Sequence, residues 1–115
     1  MKPSQPFKLS FADVQAILTA LPIVENFPTD TPEQKIRNSL CCQGARQKLL
    51  AGRKDFTQNE LRVIAVSVCY AAEYLTGRMP ELADLHPNIA EIQQYALSYI
   101  RLSGYFLPQI ADHQD

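Results

Sequence analysis

An all-α fold, an up-and-down bundle of four helices, is what this sequence predicts. Three observations carry the prediction: four capped helix starts, matching stop signals, and apolar residues recurring at helical spacing between them. An oxygen-bearing cap is followed three residues later by a carboxylate or amide at Ser10…Asp13, Thr31…Gln34, Thr57…Glu60 and Asn88…Glu91. Each cap oxygen satisfies an orphan N–H of the first turn while the third residue reaches back to the cap. Pro22, Gly52, Gly77 and Pro108 supply the stops. The helices expected are about 11–21, 32–51, 58–76 and 89–107, with a short helical turn over 80–85. Together they cover about three-fifths of the chain, far above the usual helix share.

The first helix is amphipathic, with Phe11, Val14, Ile17, Leu18 and Leu21 on one side and Asp13, Ala16 and Ala20 opposite. In the second, Pro32 follows the Thr31 cap at the position where a missing N–H is harmless. Its stripe of Ile36, Leu40 and Leu50 is interrupted by Gln43 and Gln47, and the small Cys41, Gly44 and Ala45 permit a close helix approach.

The third helix is the expected centre of the core. One stripe holds Leu61, Ile64, Ala65, Val68, Ala72 and Leu75, another Val63, Val66, Tyr70 and Tyr74, leaving Arg62, Cys69 and Glu73 on a narrow third side. The β-branched run over 63–68 could pass for a buried strand, but the Thr57…Glu60 box before it and the helix formers after it favour a helix. The fourth helix carries Ile89, Ile92, Ala96, Ile100 and Leu107 at the centre of its apolar arc, with Tyr95, Tyr99, Leu102 and Phe106 on the flank. Ser103-Gly104 offers a second close approach.

The chain has 115 residues, 46% hydrophobic and 20% charged, with a net charge of -1. That fits a single domain over 10–110, an arm over 1–9 and a tail over 111–115, and it excludes a wholly basic nucleic-acid binder. No apolar leader is expected, and the longest apolar run, Val63 to Ala72, is about half a bilayer crossing. The three cysteines lack zinc spacing, and the adjacent Cys41 and Cys42 cannot point into one site, so reduced thiols in a cytoplasmic protein are expected.

Neither a nucleophile elbow nor a phosphate loop, dinucleotide fingerprint or metal motif occurs in the sequence, so no catalytic, cofactor-binding or metal residue is assigned and the reading is non-enzymatic. Glu73 stands in apolar company, and the simpler reading is a charge on the solvated strip of its helix. His86 before Pro87 reads as a loop residue.

Charge is unevenly spread. Lys35, Arg37, Arg46, Lys48, Arg53, Lys54 and Arg62 face only Asp55 and Glu60 between residues 34 and 62. Arg46, Lys48, Arg53 and Lys54 near the start of the third helix form a possible anion contact, hence an alternative reading as a nucleic-acid-associated regulator. The leading reading is protein–protein association, as a homodimer or with another protein. It rests on the surplus apolar arc of the last helix, with Tyr95, Tyr99, Leu102 and Phe106 at the interface.

Overall fold

The computed structural model describes residues 9–29, 31–85 and 89–112. Among the described residues six helices follow one another: α1 (Phe11–Asn26), α2 (Pro32–Leu50), α3 (Gln58–Leu75), α4 (Leu82–Leu85), α5 (Ala90–Gln94) and α6 (Ala96–Asp112). No strand occurs among the described residues, so the protein is an all-α bundle and the β-branched run over 63–68 is helical.

The local punctuation forms as the sequence implies. Ser10 and Thr57 each accept from the third helical N–H while Asp13 and Glu60 accept from the cap N–H, giving two complete capping boxes. Thr31 caps α2 through Gln34 N at 3.1 Å. Gly52 and Gly77 take φ of 73° and 82°, the left-handed conformation that a side chain would oppose. The two bonds of a Schellman motif close each of those helix ends: Arg53 N to Lys48 O and Gly52 N to Leu49 O, then Arg78 N to Glu73 O and Gly77 N to Tyr74 O. The Asn88 cap and His86 lie outside the described residues.

Four expectations are corrected. Pro22 does not end the first helix; α1 runs to Asn26 because Ile23 and Val24 are buried, and their packing offsets the donor that proline removes. Likewise α6 passes through Pro108 to Asp112, so residues 111 and 112 are helix rather than tail. At the other end Leu9, assigned to the arm, packs against the core. The fourth helix is broken at Tyr95 into α5 and α6. The break lets α5 lie against α1 while α6 packs chiefly on α3.

The bundle is built on α1 and α3, which pack directly together. On one side α2 leans on both, and on the other α6 leans on both, so α2 and α6 scarcely meet. Tyr99 ties the second side shut: wholly buried, it donates from its hydroxyl to the carbonyl of Ala16 at 2.7 Å. Burial raises its pKa, helped by the neighbouring Tyr95 and Glu91, so it stays a donor.

Helix faces differ from the expected ones. α1 buries Asp13, Ala16 and Ala20 together with Ile17, Leu21, Ile23 and Val24, and leaves Phe11 80% exposed. The helix is thus turned by roughly one residue, ~100°, from the expected face. In α3 Cys69 is buried rather than on a solvated side, whereas Arg62 and Glu73 keep to that side. Among the described residues Gly104 has nothing near the place of a side chain, so no described helix approaches there.

α2 is reversed most completely. Its buried residues are Cys42, Ala45 and Leu49, while Ile36, Leu40 and Leu50 are 61%, 61% and 69% exposed. The small side chains let α2 settle against α1 and α3, and Cys42 Sγ reaches the Leu21 carbonyl at 4.0 Å. Arg46 and Lys48, one to each neighbour, hold it in that orientation.

A candidate association surface on α2

The exposed face of α2 is a regular one. Ile36, Leu40, Gln43, Gln47 and Leu50 follow at intervals of 4, 3, 4 and 3 residues, and all five are exposed. That is the spacing of a heptad seam, which keeps one narrow stripe in line along a helix. Aliphatic residues stand at both ends and two glutamines in the middle. From Ile36 to Leu50 the stripe is about 21 Å long. Glu33 lies beyond its first end, in the opening turn of α2, and Arg53 and Lys54 just beyond its last.

The flanks of the seam are fixed by ion pairs to the rest of the bundle. Arg46 grips Glu25 of α1 through both carboxylate oxygens, at 2.9 and 3.3 Å. Lys48 donates to Glu60 Oε1 at 2.7 Å and to the Asp55 carbonyl at 3.0 Å. Beneath them Gly44 makes room for Glu60: a Cβ there would stand 2.2 Å from Glu60 Oε2. The small-residue approach expected at Gly44 is therefore real, and what it admits is a carboxylate from α3. Burial pushes the Glu60 carboxyl up, but the Lys48 and Thr57 hydrogen bonds outweigh burial and hold it below its usual value.

This arrangement separates the four cations expected to meet an anion. Arg46 turns to Glu25, Lys48 to Glu60, and Arg53 to Asp55 through Nε at 3.0 Å and through Nη2. Lys54 is exposed, with no ion pair among the described residues. The N–H of Thr57, the cap of α3, already donates to an anion of the chain's own, the Glu60 carboxylate of the capping box. Three carboxylates thus answer three of the cations, and no common basic face forms.

The four residues expected at an interface are placed inside. Tyr99, Leu102 and Phe106 are 0%, 1% and 2% exposed, packed in the chain's own core, and Tyr95 is half-buried against it. The flank of the expected fourth helix is the centre of α6's buried face. Its expected centre points out at Ile100, beside an exposed Leu97. The exposed Leu97 and Ile100 lie on the side of α6 opposite Leu102 and Phe106.

Two hollows open among the described residues. One, of about 220 Å³, lies between the α1–α2 connection and α3, where Phe27 and Tyr70 meet at a ring separation of 5.1 Å. It is smaller than the roughly 300–1,000 Å³ of an ordinary ligand site. The other is an open groove of about 800 Å³ between the start of α1 and α6, crossed by the Asp13–Arg101 ion pair. Glu73 is half-exposed and pairs with Arg78 at 3.5 Å, a charge on the outer side of its helix. Cys41 is half-buried, whereas burial pushes the Cys42 thiol up to about 12 and the Cys69 thiol to about 11. Among the described residues no three His, Cys, Asp or Glu side chains gather as metal ligands, and no helix is long and apolar enough to cross a membrane. No protein family, curated protein or solved structure matches the chain.

Proposed function

We propose that the protein acts without catalysis, by self-association through the outer face of α2. The observation that carries this is the heptad-spaced stripe of Ile36, Leu40, Gln43, Gln47 and Leu50 on a helix whose opposite side is already spent on the core. Aliphatic side chains in such a line gain about 25 cal/mol for each Å² of apolar area taken from water. The described buried polar groups of the bundle are used structurally: Asp13 and Glu60 close helix starts, Ser67 donates to the Val63 carbonyl within α3, and Tyr99 bridges α6 to α1. Three free thiols fit a reducing compartment such as the cytoplasm.

Leu40→Glu places a charge in the stripe without touching the core. Sedimentation equilibrium up to ~0.5 mM, in the weak-contact range, is expected to show a reversible dimer for the unaltered protein and a monomer for the variant. Circular dichroism should be unchanged between them. A monomer at every concentration, or a dimer indifferent to the substitution, refutes the proposal.

A further inference from the structure

The geometry points to a binding site for one small, flat, uncharged molecule with an amide-like edge, in the hollow between the α1–α2 connection and α3. It goes beyond association through the outer face of α2 and does not depend on it. Three walls meet there. Gln34 and Asn38, four residues apart on one side of α2, form the first. Val66 and Tyr70, spaced the same way on α3, form the second, and Phe27 and Thr29 close the third.

The two amides stand on the inward side of their helix. Each lies two residues from Ile36, about 200° around α2 from the exposed stripe, and in line with the buried Ala45 and Leu49. A helix side turned toward a core ordinarily carries apolar residues. The second half of α2 follows that rule, whereas its first half sets two amides over a hollow of about 220 Å³. Among the described residues neither side-chain amide nor the Tyr70 hydroxyl has a hydrogen-bond partner, and none of their atoms is sealed from solvent. Their bonds are therefore available to a ligand that replaces water.

The lining selects the ligand. Each amide carries a donor and an acceptor side by side, which matches a group presenting the same pair, a carboxamide or the edge of a lactam. The Phe27 and Tyr70 rings, 5.1 Å apart, offer an aromatic wall to a flat face. No described lining residue is charged, while Lys35 is held by the Glu25 carbonyl and Arg46 by the Glu25 carboxylate. An ionic ligand would lose its water there without a partner to replace it. The hollow is too small for a drug-sized molecule, yet it exceeds the ~150 Å³ that holds one benzene ring in an apolar cavity. One ring with a short substituent fits.

Benzamide is the probe. Nitrogen–proton correlation spectra of the full chain, titrated to ~20 mM, are expected to show saturable shifts of the Gln34 and Asn38 side-chain amides and the Val66 and Tyr70 backbone amides. The Kd expected for so small a ligand is on the order of 1 mM. Benzoate, the same shape with a charge in place of the amide, should bind about tenfold more weakly. Asn38→Leu keeps the volume and removes one donor–acceptor pair, so about a fivefold loss of benzamide affinity is expected, with spectra unchanged away from the hollow. Gln34→Met makes the same test at the exposed end of the wall, and it decides if the first variant folds poorly. Shifts that never saturate, or that centre on Leu97 and Ile100 beside the other groove, overturn the site. Equal affinity for benzamide and benzoate overturns the ligand class, and full affinity in both variants removes the amides as its readers.

Discussion

Gly44 shows how much one hydrogen atom in place of a side chain can decide. Glycine inside a helix costs about 1 kcal/mol relative to alanine, yet here the missing Cβ is the floor under the Glu60 carboxylate. Alanine at 44 must displace a carboxylate held by Lys48 and by the Thr57 N–H. We expect Gly44→Ala to destabilise the protein by about 1 kcal/mol, because a cap and a half-buried ion pair are disturbed together. In a Glu60→Ala background the same substitution is expected to stabilise, by roughly 0.5–1 kcal/mol. Urea midpoints of the four proteins test this, and equal effects in both backgrounds would remove Glu60 as the reason for the glycine. The acid side of stability belongs to the same scale. Burial opposes the charge on Asp13, but hydrogen bonds from Arg101, Ser10 and Ser98 outweigh it and hold its pKa below the usual value, as Lys48 does for Glu60. A carboxylate with a lowered folded pKa contributes stability fully above its unfolded pKa, about 3.9 for Asp and 4.3 for Glu, and loses it as the pH falls through the folded value. Asp13→Asn/Glu60→Gln should therefore be less stable than the unaltered protein at pH 7 and lose less stability between pH 5 and 2. Parallel urea-midpoint profiles across that range would contradict the assignment.

At the level of the helices, the starts at Ser10, Thr31 and Thr57 and the glycine stops were legible, while the proline stops and most of the faces were not, and the difference is physical. A cap at Ser10 or a left-handed glycine at 77 is settled by atoms within a few residues, all visible in the sequence. Which side of a helix is buried depends on what arrives from far along the chain. Reading large aliphatic residues as the inner face failed for α2 because its neighbours come closest over Cys42 and Ala45, leaving Ile36, Leu40 and Leu50 outside. The same bias hid Ala16 and Ala20 in α1, and it put Tyr99, Leu102 and Phe106 at an interface when they are core. The anion corner failed for a related reason, since Glu25 lies 21 residues from the Arg46 it neutralises. Pro22 was overread: local chemistry says stop, and tertiary packing of Ile23 and Val24 carries the helix on. The cost of that override is measurable. Pro22→Ala restores an intrahelical donor and is expected to raise stability by about 1–3 kcal/mol, read as a higher urea midpoint with unchanged slope. A lower midpoint would mean that the half-buried ring contributes more by packing than it costs the helix.

For the molecule as a whole, the order in which its parts open follows from the packing scheme. α1 touches every other helix, and α3 touches the three longest of the others, so neither can leave without exposing most of the core. α4 and α5 are 4 and 5 residues long, and among their described side chains Leu82 and Ile92 are the wholly buried ones, too little to hold such short helices independently. α2 lies between these extremes: it buries few large side chains and depends on the Glu25 and Glu60 ion pairs, so it opens more readily than α1 and α3. Native-state hydrogen exchange should rank protection accordingly, with amides of α1 and α3 exchanging only through global unfolding and those of α4 and α5 fastest. Association through the outer face of α2 adds a distinct signature to this ranking. A partner that binds the folded surface stabilises what it covers by mass action, so α2 protection should rise with protein concentration from ~10 µM to ~0.5 mM while α4 and α5 stay as they were. If the α6 amides near Leu97 and Ile100 gained protection instead, the association surface would lie on the opposite side of the α1–α3 pair; α2 would then be bound only inward, through its small residues and two ion pairs.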